Sequence, residues 1–163
     1  MDNIKIEKLT QNYFSDFVDI CTKYYIEEIK VFLIKDDIKK HIIKNKILKN
    51  YIEEITQIDV ALKNDKIIGF IIYQIDSEKS DWNERSGHGF IREFYVNNQH
   101  RKQGVGTKLI QSAENNLKKM GAKNIYLTSS SEYYVEDFYY GKGYKNEQKT
   151  SPKNHNTYFS KEL

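Results

Sequence analysis

The stretch REFYVNNQHRKQGVGTKLI, Arg92 to Ile110, decides how the rest of the chain is read. Its opening REFYV is strand-like, rich in aromatics, and carries a carboxylate, Glu93. A basic, polar loop follows. Gly104 and Gly106 then open a helix whose apolar stripe is Val105, Leu109, Ala113, Leu117 and Met120. Helix N-termini present unpaired N–H donors and a partial positive charge. Glycine lets a backbone approach a ligand with no Cβ in the way. With Arg101, Lys102 and Lys108 adding formal charge, these residues predict an anion site suited to phosphate or pyrophosphate. Spacing removes two versions of such a site. No GxxxxGK[ST] is present, and GxGxxG fails because Leu109 stands where the third small residue belongs. What remains is R-x-x-G-x-G, Arg101 to Gly106. On spacing alone, a strand-to-helix turn with a few surface cations reads the same way.

Working outward, Ile4 to Leu9 alternates apolar and charged residues as a half-buried strand does. Thr10 suits an N-cap for a helix carrying Phe14, Phe17, Cys21 and Tyr24 at helical spacing. A second helical pattern runs through Ile34, Ile38, Ile42, Leu48, Tyr51 and Ile55. Strands are expected at Asp59 to Leu62 and Lys66 to Ile75, joined as a hairpin by KNDK. Asp76 to Gly89 reads as a loop, and Phe90 to Val96 as a strand. The helix from Gly104 to Met120 ends on Gly121 as a glycine cap. A strand at Asn124 to Thr128, a helix near Glu132 to Tyr140, and strands near Tyr144 and at Thr157 to Lys161 complete the order. Strands flanked by helices in this order imply a mixed α/β sheet covered by helices, in a single domain over residues 1–163.

Composition narrows the class. A chain that is 39% hydrophobic, 30% charged and 13% aromatic reads as soluble and globular despite a mean hydropathy of −0.74. A net charge of +3 helps attract a small polyanion but is no nucleic-acid signature. Cys21 is the single cysteine, so no intrachain disulfide forms, and a reducing cytoplasm is the expected compartment. Its place on the apolar face of the first helix makes it core rather than nucleophile. His41, His88, His100 and His155 show no ligand spacing, so no metal is expected. The N-terminus lacks the apolar core of a signal peptide, and the longest apolar run, Ile67 to Tyr73, is too short to span a bilayer.

R-x-x-G-x-G, following a strand that ends in Val and opening an amphipathic helix, resembles the acyl-CoA site of the GNAT superfamily of N-acetyltransferases. Downstream, FYYGKGY, Phe138 to Tyr144, resembles that family's F-Y-x-x-x-G-F/Y segment at the end of the next helix. The resemblance implies a central mixed, mostly antiparallel sheet of six or seven strands. About four helices flank it, and a splayed parallel pair marks the cofactor site. It also implies that the backbone from Arg101 through Lys102, Gln103, Gly104, Val105, Gly106 and Thr107 holds the pyrophosphate of acetyl-CoA. Phe94, Tyr95 and Val96 would offer main-chain hydrogen bonds to the pantetheine arm. The activity implied is transfer of an acetyl group to a primary amine by direct attack in a ternary complex.

Such transfer needs the free amine, whose pKa near 10.4 makes deprotonation at neutral pH cost about 4 to 5 kcal/mol. A positioned base typically gains about 10² to 10⁴ in rate. Glu93, on the strand beside the implied thioester, is the candidate; its competing role is a surface carboxylate paired with Arg92 or a nearby lysine. Some polyamine acetyltransferases place the acid one residue earlier, where this chain has Arg92. Tyr139 matches the family tyrosine near the CoA sulfur, as general acid or as a donor that orients it. Glu132 stands where many members have an Asn that contacts the cofactor.

For the acceptor, the resemblance points to the first two helices and the loop before the central strand. There lie Tyr24, Tyr25, Glu27, Glu28, Asp81, Trp82 and Glu84, suited to a small cationic amine or to a protein or peptide amine. A solvated acidic helix face reads the same for YYIEEIK. Two other functions stay open: a catalytically silent acyl-CoA sensor on the same fold, and a nucleic-acid binder using the lysines at 35, 39, 40, 44, 46 and 49. No membrane and no nucleic acid are expected as partners, and a homodimer is left open.

Overall fold

The structure, a computed structural model, describes residues 3–130 and 133–163, and the side chains of these except Tyr133 and Tyr134. Seven strands form one sheet in the order β1-β2-β3-β4-β5-β7-β6. They are β1 (Lys5–Lys8), β2 (Gln57–Lys63), β3 (Lys66–Ile75), β4 (Gly89–Val96), β5 (Asn124–Ser129), β6 (Lys145–Thr150) and β7 (Thr157–Glu162). The pairs β1/β2, β5/β7 and β6/β7 run antiparallel and β4/β5 parallel, so the expected mixed sheet is present. Among the described residues, four helices accompany it. α1 is Phe14–Glu27, and α2 runs over 35–52. α3 is Val105–Lys119 and α4 is Tyr133–Gly141.

Two compact units partition the chain: residues 1–72 with 93–112, and residues 73–92 with 113–163. The first packs α1 and α2 against β2, β3 and the end of β4. Its core joins Phe17, Cys21 and Tyr24 of α1 with Ile38, Ile43 and Leu48 of α2, Ile58, Val60 and Leu62 of β2, and Phe70, Ile72 and Tyr95. Phe17 meets Phe70 edge to face at 5.3 Å. Each such fully buried side chain stabilises the fold by roughly 1.5 to 3 kcal/mol.

Local chemistry explains most elements. Asn64 and Asp65 both take positive φ (51° and 58°), the two-residue turn that matches the right-handed twist of a hairpin. Gly121, at φ 99°, ends α3: its N–H donates to the Lys118 carbonyl, and that of Ala122 to the Leu117 carbonyl. Thr10 caps through no side-chain hydrogen bond; a 3₁₀ turn, Gln11–Tyr13, precedes α1 instead.

Helix α2 departs from the regular pattern expected for it. An α-turn at Lys35–Asp37 leads into a π-helical stretch, Ile38–Leu48, and a closing α-turn, Lys49–Ile52. The buried residues of the π stretch are Ile38, Ile43 and Leu48, five apart. At 3.6 residues per turn that spacing would walk around the helix. Wider winding, with i→i+5 bonds, keeps all three on the core side.

In the second unit, Trp82, Phe90 and Tyr126 stack at 5.1 and 4.6 Å between successive rings, and Tyr158 closes the cluster. Asp76 is a buried hub at the start of the β3–β4 loop. Its carboxylate accepts from the Gln74 amide, the Glu84 and Arg85 backbone N–H groups, and the Tyr126 hydroxyl. A charged group so buried is tolerable only because it is hydrogen-bonded throughout.

Candidate functional site

β4 passes from one unit to the other between Arg92 and Glu93, and successive residues of a strand face opposite ways. The Arg92 guanidinium donates to the Asp81 carboxylate at 2.7 Å and to the side-chain amide oxygen of Gln74 at 3.0 Å. Glu93 is half-buried on the face toward α1, where the Tyr24 hydroxyl donates a hydrogen bond to its carboxylate. Tyr24 is itself buried, its ring centroid 5.3 Å from Tyr25, 5.6 Å from Phe70 and 5.5 Å from Tyr95. Burial first, and the Glu93 charge second, push the Tyr24 phenol well above its ordinary pKa. The same two causes raise the Cys21 thiol, which is fully buried on α1 and stays an un-ionised core residue.

Past Val96 the chain turns through Asn97, whose side-chain oxygen accepts from the Gln99 N–H, and a 3₁₀ turn, Asn98–His100. Arg101 then braces the loop. Its Nε donates to the Val96 carbonyl at 2.8 Å, one terminal nitrogen pairs with Glu28 at 2.7 Å, and the guanidinium lies 5.7 Å from the Tyr95 ring centre. Lys102 and Gly104 take positive φ (60° and 80°). Among the described residues, none of the six backbone N–H groups from Lys102 to Thr107 makes a close, well-aligned hydrogen bond to a backbone carbonyl. The first bond into α3 belongs to Lys108, which donates to the Gly104 carbonyl at 3.1 Å. Consecutive amides without such a bond at a helix start form the donor set that an anionic group requires. Among the cations, Arg101 is engaged with Glu28, Lys108 reaches the Ile4 carbonyl at 3.3 Å, and Lys102 is exposed.

The parallel pairing of β4 with β5 runs from Gly89 with Ile125 to Ile91 with Leu127, and β4 continues beyond it through Phe94, Tyr95 and Val96. Tyr95 is buried, with a hydroxyl that finds no hydrogen-bond partner among the described residues.

Tyr139, in the second unit, lies in the last turn of α4. The Gly143 N–H donates to the Tyr140 carbonyl and the Tyr144 N–H to the Tyr139 carbonyl, with Gly143 at φ 86°. The rings of Tyr139 and Tyr144 meet at 5.7 Å across the turn. FYYGKGY is therefore a closed helix terminus, with the apolar contact that commonly seals one. Burial alone raises the Tyr139 phenol, keeping it protonated. Glu132 lies outside the described residues.

Three residues of the β3–β4 loop that suggested an acceptor pocket are claimed internally. Asp81 holds Arg92, and Trp82 stacks on Phe90 with the Lys153 ammonium 4.9 Å from its ring centre. Glu84 accepts from the Ser151 and Tyr158 hydroxyls, both at 2.6 Å. Sequence reading missed this network because its members lie up to 74 residues apart. The end of α1 differs: Glu27 is exposed, and next to it Ile29, Phe32, Leu33 and Ile34 are exposed too, Phe32 by 99%.

Among the described residues no group of three or more His, Cys, Asp or Glu could hold a metal ion, and no helix is long and apolar enough to cross a membrane. None of the curated proteins searched matches the chain. Solved structures do. An acetyltransferase of the GNAT family from Staphylococcus aureus Mu50 is similar over 99% of both chains, with a TM-score of 0.75 and 18% identity. The PaiA N-acetyltransferase from Thermoplasma acidophilum, in complex with coenzyme A, reaches 0.77 at 17% identity over 99% of both. The protein PH1933 from Pyrococcus horikoshii OT3 reaches 0.73 at 25% identity, again over 99% of both. The family model for the acetyltransferase (GNAT) family matches residues 17–144, spanning both the glycine loop and the closed end of α4, and this chain belongs to that family.

Proposed function

We propose that this protein is an N-acetyltransferase that uses acetyl-CoA as co-substrate and acetylates a primary amine by direct attack in a ternary complex. The observation that carries this reading is the run of backbone amides from Lys102 to Thr107 that make no close bond to a backbone carbonyl, in the same compact unit as the half-buried carboxylate of Glu93. Acetyl-CoA supplies the activated acyl group and a thiolate that leaves readily, its pKa near 8.5 lying below that of the amine. In this reading the amides of Lys102 to Thr107, with Arg101 bracing their loop, hold the pyrophosphate. The main chain of Phe94, Tyr95 and Val96 lies along the pantetheine arm. Glu93 takes the proton that the amine must lose, and Tyr139 donates a hydrogen bond to the departing sulfur. A phenol held protonated by burial suits that donor role better than delivery of a proton.

Support for an acceptor class comes from the end of α1. An exposed carboxylate at Glu27 beside exposed Ile29, Phe32, Leu33 and Ile34 suits a peptide or protein amine carrying apolar side chains better than a wholly polar polyamine.

Thermal unfolding with acetyl-CoA, CoA and ATP tests the cofactor assignment. At about 100 times its Kd a ligand stabilises by roughly 2.7 kcal/mol, so both CoA species should raise the midpoint by several degrees and ATP should not. A folded sample indifferent to both would return the loop to an ordinary turn. Thiol release with peptide amines and with spermidine then tests the acceptor class. Preference for spermidine would sink the peptide assignment while leaving the acetyltransferase intact.

A further inference from the structure

We infer that Tyr24 of α1 is a positioning residue for Glu93: its hydroxyl holds the carboxylate in the orientation, and in the charged form, that a base for the acceptor amine requires. The inference rests on the proposed role of Glu93 and adds a residue that neither motif contains.

The two residues are 69 apart in sequence and meet because Tyr24 and Cys21, one turn apart on α1, face the side of β4 that carries Glu93 and Tyr95. The Tyr24 ring cannot swing away, held as it is among Tyr25, Phe70 and Tyr95 with only 7% of the residue exposed. A hydrogen bond to an ionised acceptor is about twice as strong as a neutral one, and donation to the charged form favours that form. Charged groups near this face are Glu27, Glu28 and Arg101, each of which acts on the Tyr95 phenol. Of the other titratable groups, Cys21 and Tyr25 come from α1 and Tyr95 from β4, while β3 presents the apolar Phe70 and Ile72. Burial raises the Cys21 thiol and the Tyr95 phenol, so both stay neutral near pH 7, and Tyr24 is a donor placed on the Glu93 carboxylate. Its own ionisation is suppressed by burial and by Glu93, so it stays a donor throughout the range in which an amine loses its proton.

Tyr24→Phe removes the hydroxyl and keeps the ring. The direct measurement is an NMR titration of the full chain with isotope-labelled glutamate carboxyl carbons, the Glu93 signal being identified by its loss in Glu93→Gln. The substitution should raise the Glu93 midpoint by roughly one to two pH units. Glu93→Gln gives the reciprocal reading and should lower the midpoint of the Tyr24 phenol. If both midpoints stay put, the inference is overturned.

Turnover separates this inference from the reading beneath it. With acetyl-CoA and the best amine of the peptide panel, Tyr24→Phe should lower kcat by roughly tenfold with KM little changed. The acid limb of the pH profile should move upward. The same substitution should cost nothing further in a Glu93→Gln background, as expected for residues acting through one another. An equal loss in both backgrounds would overturn the positioning role alone. Full turnover by Glu93→Gln itself would remove the base, and this inference with it.

Discussion

At the scale of the residue, Glu93 and Tyr139 differ in what their surroundings let them do. Glu93 is half-buried and hydrogen-bonded by a phenol, whereas Tyr139 is buried at a helix end that holds itself together. Glu93→Gln should therefore lower kcat by about 10² to 10⁴, with acetyl-CoA binding intact in the thermal assay. Tyr139→Phe should lower it by no more than about tenfold, the scale of one neutral hydrogen bond; a full loss would make Tyr139 the proton source. Steady-state thiol release reads both. The sequence made Glu93 legible because the strand and the glycine loop bracket it. Tyr24 was legible as an apolar-face aromatic and as an acceptor-side residue, but not as a partner of Glu93, since nothing local says which strand residue its hydroxyl will meet. Asp81 and Glu84 show the same limit. A carboxylate looks available until its partners, here Arg92, Ser151 and Tyr158, are brought to it by the fold.

Elements were legible wherever the signal lies within one turn of chain. Asn64-Asp65 named the hairpin and Gly121 the end of α3, because positive φ is a demand that few residues meet. The π stretch of α2 was not legible as such: its buried Ile38, Ile43 and Leu48 are five apart, and a 3.6-residue template reads that as an imperfect α-helix. Gly69 shows a third kind of requirement. A Cβ there would lie 2.8 Å from the Tyr95 carbonyl oxygen and 3.3 Å from a Leu109 methyl, so β3 can sit against β4 and α3 only with no side chain at that point. Gly69→Ala should destabilise the protein by about 1 to 3 kcal/mol, as overpacking does. It should also weaken CoA binding, since what must move is the backbone of Tyr95. Chemical denaturation and the CoA thermal shift check the two halves separately.

Across the whole molecule, burial of tyrosine is the recurrent theme. The chain has 13, and Tyr24, Tyr51, Tyr95, Tyr126, Tyr139, Tyr144 and Tyr158 all have raised pKa values, with burial the first cause in each. For an acid whose folded pKa lies above its unfolded value, the folded state keeps a proton that the unfolded chain releases. The stability so conferred is complete below the unfolded value of about 10 and is lost as pH rises beyond it. Urea midpoints should accordingly fall steeply above about pH 10, and unfolding there should coincide with the appearance of tyrosinate absorbance. A flat alkaline profile would contradict the burial of these rings. The division into units has its own consequence for anyone who would cut the protein into pieces. Its boundary crosses the chain within β3, within β4 and within α3, so neither unit is a contiguous run of residues. No single cut yields one of them whole. A fragment ending at residue 112 would carry Glu93 and the glycine loop together with a piece of the second unit, and would leave Tyr139 behind.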